Sequence, residues 1–204
     1  MLEKVTGFVI RKLAPGPELL LLQHPFAGFQ IPAGTVNPGE TPRNAILREV
    51  AEESGLKNVL IGTDLGFQDT ILPPDQAVLI HPTKVFSRPD PSSFDWVQVS
   101  PGLWLEVLRK QDGYAQITYK EPDHLPNPSY TTYQITGWVP EDTLSQRQRR
   151  HFFLLNFDGQ TPPSWKVNTD SHTFTLSWSP LDDLPDLIPP QDEWLSVLLK
   201  YLYS

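Results

Sequence analysis

The stretch TPRNAILREVAEESGL, Thr41 to Leu56, carries a full set of helix signals, and any fold of this chain has to accommodate that helix. Thr41 offers a capping hydroxyl. Pro42 suits the first helical position, where an N–H would go unused, and Gly55 suits the left-handed residue just past the end. The spacing predicts a helix from about Pro42 to Ser54. At about 3.6 residues per turn, Ile46, Leu47, Val50 and Ala51 share one face, while Glu49, Glu52 and Glu53 share another. One face therefore seeks a core, and the other crowds three carboxylates.

That crowding has a cost. Glu49 and Glu53 are like charges one turn apart, which destabilises a helix by a few tenths of a kcal/mol. A hard divalent cation such as Mg²⁺ takes carboxylate oxygens and is commonly shared with substrate phosphates, so three carboxylates on one face make half of a cation site. Arg48, one turn before Glu52, can hold a carboxylate through paired hydrogen bonds. Taken alone, the acids would equally describe a solvated surface face.

The flanking text reads as strands. TGFVIRKL and ELLLLQH are short β-type runs joined by APGP, which predicts an opening hairpin, and FQIPAGTV is a strand interrupted at Pro32 and Gly34 that leads into the helix. Much later, RRHFFLLNF reads as an apolar core strand. PPQDEWLSVLLKYLYS reads as a terminal helix whose Trp194, Leu195, Leu198, Leu199, Tyr201 and Leu202 form a broad apolar surface, suited to burial on a sheet or to a homodimer contact.

Read from Gly34, the chain runs glycine, five residues, Glu40, seven residues, Arg48-Glu49, Val50, Ala51, Glu52-Glu53, Ser54, Gly55, Leu56. This order resembles the signature of the Nudix hydrolase family at every specified position. Seven fixed identities at roughly one in twenty each, with two aliphatic positions, coincide by chance on the order of one time in a hundred million. The opening hairpin, the FQIPAG strand and the late HTFTLSWSPLDDLP are also similar to that family.

The resemblance implies a loop–helix–loop that holds Mg²⁺ or Mn²⁺ and hydrolyses a diphosphate linkage, usually in a nucleoside diphosphate joined to another group. Carried onto this chain, Glu49, Glu52 and Glu53 are the metal-binding acids, and Glu49 is also a candidate general base. Arg48 orients the acids, Gly34 lets the backbone turn beside the metal, and Glu40 supports the loop. Phe29 and Gln30 stand where family members contact substrate, although Phe29 suits a core equally. Asp170, ahead of the late strand, is a candidate further acid or an ordinary turn residue. His151 and His172 are weaker candidates, because a histidine at a strand end is more often packed or solvated.

Some 65 residues separate His81 from Gln146, too many for a structureless loop. KVFSRPD, FDWVQVS, LWLEVL, YAQITY and TGWVPEDTL are short β-type runs between proline, glycine and aspartate turns. Their order resembles a bacterial SH3-like domain. The expected architecture is thus an α/β chain, a Nudix-type α/β/α sandwich over residues 1–80 and 147–204, interrupted over 81–146 by a small SH3-like β-barrel. Trp104, Tyr114, Tyr130 and Tyr133 either fill that small core or line a groove for a protein or peptide ligand.

Composition narrows the function classes. A formal net charge of -8 supplies no basic field for a nucleic-acid polymer. Arg147, Arg149 and Arg150 remain as local phosphate contacts or as a solvated strand end. Without cysteine there is no thiolate nucleophile, thiolate metal site or disulfide. The first residues lack the layout of a secretory signal, and LLLL, the longest apolar run, is too short to span a bilayer, so a cytoplasmic protein is expected; the small nucleotide substrate is what the family resemblance implies. A non-catalytic nucleotide sensor, or an adaptor acting through the barrel, is the competing class.

Overall fold

The computed structural model describes residues 1–12, 16–124, 127–169 and 172–203. The elements are β1 (Leu2–Lys12), β2 (Pro17–His24), β3 (Gly28–Gln30), β4 (Ala33–Thr35), α1 (Pro42–Ser54), β5 (Val59–Ile71), β6 (Gln76–Leu79), β7 (Thr83–Phe86), β8 (Asp95–Val99), β9 (Trp104–Gln111), β10 (Tyr114–Pro122), β11 (Thr131–Pro140), β12 (Leu144–Ser145), β13 (Arg147–Phe157), β14 (Ser164–Thr169), β15 (His172–Pro180) and α2 (Gln191–Leu202). The molecule is mostly sheet with two helices among the described residues. It divides into two bodies: Lys4–Phe67 with Arg150–Ser204 and the short piece His124–Asn127, and Gln68–Asp123 with Pro128–Arg149 and Met1–Glu3.

The first body is built on a sheet ordered β14-β15-β2-β1-β13-β5, with β3 on β2 and β4 on β1. Its two faces follow from the two-residue period of a strand. Val5, Val9, Leu20, Leu22, Phe153 and Leu155 point to one side and bury Ala45, Ile46 and Val50 of α1. Their neighbours Phe8, Ile10, Leu19, Leu21, Phe152 and Leu154 point to the other and bury Leu198 of α2. LLLL is therefore a central strand covered on both faces. The arrangement has three layers: helix, sheet, helix.

Helix α1 starts and stops as its sequence requires. Thr41 accepts a hydrogen bond from the Asn44 N–H, Pro42 opens the helix, and Gly55, at φ 73°, ends it by donating its N–H to the Ala51 carbonyl. The buried face is centred one residue earlier than the periodicity alone indicates: Ala45, Ile46, Val50 and Ser54 are buried, while Leu47 and Ala51 are only half-buried. Trp165 of β14 donates its indole N–H to the Ser54 carbonyl at 2.9 Å. That bond fastens the C-terminal end of α1 to the sheet edge.

FQIPAGTV is split at Pro32 as expected but not at Gly34, which lies inside β4. Gln30 pairs with Leu22 of β2, whereas Ala33, Gly34 and Thr35 pair with Thr6, Val5 and Lys4 of β1. Pro32, between the two, offers no N–H, but its carbonyl accepts from Gly7 at 2.9 Å. The β1–β4 register fixes which side chains reach the start of α1.

The second body holds a sheet ordered β12-β6-β9-β10-β11-β7-β8. Its core is aliphatic: Leu79, Val85, Val99, Leu105, Ala115, Ile117 and Val139. The β9–β10 hairpin turns on Asp112 and Gly113, both at positive φ (52° and 78°), as a tight two-residue hairpin requires. Trp104, Tyr130 and Tyr133 are exposed, and Tyr114 lies edge-on to Phe86. Trp104, Tyr130 and Tyr133 are therefore not the filling of the core, which aliphatic residues supply, whereas Tyr114 is half-buried.

No helix of the described residues is long and apolar enough to cross a membrane.

Candidate functional site

The site is organised by one guanidinium. Arg48 donates from Nε and Nη2 to the two oxygens of Glu40, at 3.0 and 2.9 Å, in a bidentate fork. It donates from Nη1 to Glu49 Oε1 at 2.9 Å and Glu52 Oε2 at 3.1 Å, and from Nη2 to the Thr35 carbonyl at 3.0 Å. A guanidinium has five N–H groups, so every donor of Arg48 is in use. Glu40 also accepts from the Asn37 N–H at 3.0 Å. The loop before α1 and the third turn of α1 are thereby tied to one side chain eight residues from its main partner.

Charge does not balance at this point. One guanidinium faces Glu40, Glu49 and Glu52, which leaves two negative charges before Glu53 is counted. The acids differ in their surroundings. Side-chain exposure is 14% for Glu49 and 55% for Glu52. An exposed pair such as Arg48–Glu52 is worth only about 0.3–0.5 kcal/mol, so Glu52 is easily surrendered to a stronger partner. Burial pushes the Glu49 carboxyl above the ordinary glutamate range, while Arg48 and the Thr35 N–H pull it back. Glu40 is held below that range, chiefly by its hydrogen bond to Arg48. Arg48 itself is raised by the same acids.

Gly34 has no room for a side chain. A Cβ there would lie 1.9 Å from Glu49 Cδ and 2.0 Å from Glu49 Oε1, so the backbone packs directly against the carboxylate. Glu53 accepts from the Ala33 N–H at 3.2 Å. The strand β4 thus touches the acidic face through Ala33, Gly34 and Thr35 in turn. Among the described residues, no three acidic or imidazole side chains stand close enough to form a ready metal cage. The donor set is nonetheless all carboxylate oxygen and carries surplus negative charge, which fits a hard divalent cation.

Phe29 packs against the cluster under α2, and its carbonyl accepts from Ile188 at 3.1 Å. Gln30 is half-buried beside it. Asp170 lies outside the described residues. His172 is exposed, with its ring 4.7 Å from that of His24; His151 lies 6.0 Å from the Phe67 ring.

Two cations near the acids carry no family signature. Lys4 donates to Thr35 Oγ1 at 2.8 Å, so Thr35 serves Arg48 with its carbonyl and Lys4 with its hydroxyl. Arg150 donates to Thr6 Oγ1 at 2.9 Å and lies 3.7 Å over the Trp194 ring. A lysine at a strand start gives no sequence signal. A cavity of about 490 Å³ lined by Pro17, Glu18, Leu181 and Leu202 lies at the opposite end of β2, and its Glu18 is already paired with Arg11 at 2.6 Å.

Residues 4–92, somewhat less than half of the chain, match the model of the NUDIX domain. No curated protein matches. Among solved structures, the chain is similar to the NUDIX domain of Shewanella oneidensis NrtR complexed with ADP ribose, at 13% identity and a TM-score of 0.49, with 99% of this chain and 88% of that one covered. It is also similar to the C. elegans Ap4A hydrolase in a binary complex, at 14% identity and a TM-score of 0.46, with 100% and 98% covered. The same C. elegans hydrolase in a further structure gives 16% identity and a TM-score of 0.42, with 100% and 97% covered. Over residues 4–92, the chain thus carries a match to the NUDIX domain that takes in Gly34, Glu40, Arg48, Glu49, Glu52, Glu53 and Gly55 together.

Proposed function

We propose that this protein is a Nudix-type hydrolase that adds water across the diphosphate linkage of a nucleoside diphosphate joined to another group, using Mg²⁺ or Mn²⁺. The observation that carries the reading is the use of all five Arg48 donors on Glu40, Glu49, Glu52 and Thr35 beside Gly34. A solvated acidic face would need no such scaffold. Glu49, Glu52 and Glu53 would hold the metal, and the metal when bound would neutralise the diphosphate and lower the pKa of a water.

The chain's own residues have separate tasks. Arg48 fixes Glu49 against Gly34, and Glu40 fixes Arg48. Glu49, with its proton affinity raised by burial, is suited to accept a proton from the attacking water. Phe29 and Gln30 are retained as substrate contacts and Asp170 as a further acid. Residues 81–146 are read as an inserted SH3-like module, on the order of their turn and strand segments, and the protein as cytoplasmic.

The test is Glu53→Gln, which keeps size and removes charge. Hydrolysis should fall by roughly a hundredfold or more with the thermal transition unchanged. Equal turnover by variant and parent would refute the assignment of the acids and favour a non-catalytic sensor.

A further inference from the structure

We propose that Lys4 and Arg150 form an oxyanion receptor beside the Glu49 acid cluster, and that it takes a phosphoryl group of the substrate's diphosphate. This deepens the hydrolase reading and rests on it. Both residues lie on the α2 face of the sheet, Lys4 two residues before Thr6 on β1 and Arg150 two before Phe152 on β13, the adjacent strand. Arg150 donates to Thr6 Oγ1 and, at 3.3 Å, to the Val5 carbonyl, while Lys4 reaches Thr35 Oγ1. Those neutral acceptors hold the two side chains in place and leave further N–H groups of each without a protein acceptor among the described residues.

The pairing of two such cations is the informative feature. Neither makes an ion pair with a carboxylate among the described residues, although each is half-buried. Burial and the Arg150 charge pull the Lys4 pKa down to about 8, with Glu49 opposing, and burial pulls Arg150 down to about 10. Cations buried together without a direct ion pair destabilise the empty fold, and an arriving anion removes that cost. A phosphoryl group supplies several oxygens for the free donors. Trp194 stacks under the guanidinium and keeps its plane fixed.

The three arginines of QRQRRHF are separated by the same geometry. Arg149 gives both Nε and Nη2 to Asp69, at 2.7 and 2.8 Å, and so is committed to a carboxylate. Arg147 is exposed. Arg150 alone of the three combines burial, a stacked ring and neutral partners.

The experiment is calorimetric titration of the full chain with inorganic pyrophosphate in the presence of chelator, on the parent, Lys4→Met, Lys4→Arg and Arg150→Gln. Lys84→Met removes the same charge from an exposed site and serves as control. The parent should bind, Lys4→Met and Arg150→Gln should each weaken binding roughly tenfold, and Lys4→Arg and Lys84→Met should bind as the parent does. Equal affinity across all five proteins, or no binding by the parent, would overturn the receptor. Because Glu53→Gln hydrolysis is scored separately, loss of turnover there with unchanged pyrophosphate binding in Lys4→Met would leave the hydrolase standing and remove the receptor alone.

Discussion

At the scale of single residues, the site is a contest between burial and charge. Lys4 shows the sign most clearly. Its folded pKa of about 8 lies below the ordinary 10.5, so the unfolded chain binds the extra proton between those values. Stability contributed by this group therefore rises with pH from about 8 to 10.5, and below pH 8 the full penalty of the buried charge is present. Lys4→Met should melt higher than the parent at pH 7, by roughly 1–3 kcal/mol in stability. The difference should shrink toward pH 10, as thermal melts of the two proteins across that range would show. A gap that is constant with pH, or a less stable variant, would mean that Lys4 is not buried as a charge. The same substitution is expected to weaken pyrophosphate binding, which would make Lys4 a position where stability is given up for binding.

The shared face of the three glutamates was legible from sequence, and the detailed contacts around them were not, for a physical reason. Spacing on a helix reports which side chains share a face, so Glu49, Glu52 and Glu53 follow from the 3.6-residue period. It cannot report that Glu40, in the loop, takes two of the five Arg48 donors, nor that Thr35 is shared between Arg48 and Lys4. The first is set by the loop's course before α1, and the second by the β1–β4 register, which pairs Lys4 with Thr35 across thirty-one positions of chain.

At the scale of elements, α1 is held by its caps and by a small buried face. Ile46 is fully buried between β1 and β13 side chains, and truncation to alanine should cost about 2–4 kcal/mol, through lost transfer energy and the cavity left behind. Urea denaturation should show a lower midpoint with an unchanged slope. A cost under about 0.5 kcal/mol would mean that α1 is not docked as described. Replacing the capping Thr41 by alanine should cost about 1 kcal/mol. Caps and the opening hairpin were readable because they are local. Strand β14 was not, since SWKVNT alternates half-buried with exposed residues and has no apolar run to mark it. Its place is set by pairing with β15 and by the Trp165 bond to α1.

At the scale of the whole molecule, the sequence suggests a Nudix-type sandwich over residues 1–80 and 147–204 interrupted over 81–146 by a small SH3-like barrel, and the described residues hold two sheets in two bodies, one of which takes in Gln68–Asp123 and Pro128–Arg149. The aromatics of the second body were read either as core or as groove. An aliphatic core leaves Trp104, Tyr130 and Tyr133 at the surface, an outcome that composition could not decide, since branched and aromatic residues suit a strand interior equally. The proposed site lies in the first body, where the surplus negative charge around Arg48 sits beside the two cations of β1 and β13. A dication and a diphosphate together complement that pattern, and either alone complements half of it.

That pairing is tested most directly by following product release from nucleoside triphosphates, ADP-ribose, NADH, diadenosine polyphosphates and sugar nucleotides, with Mg²⁺ or Mn²⁺ and again with chelator. The account predicts cleavage of one of these classes at its diphosphate linkage, abolished by chelator and restored by added metal. Cleavage that persists in chelator, or no cleavage of any class with either metal, would contradict it.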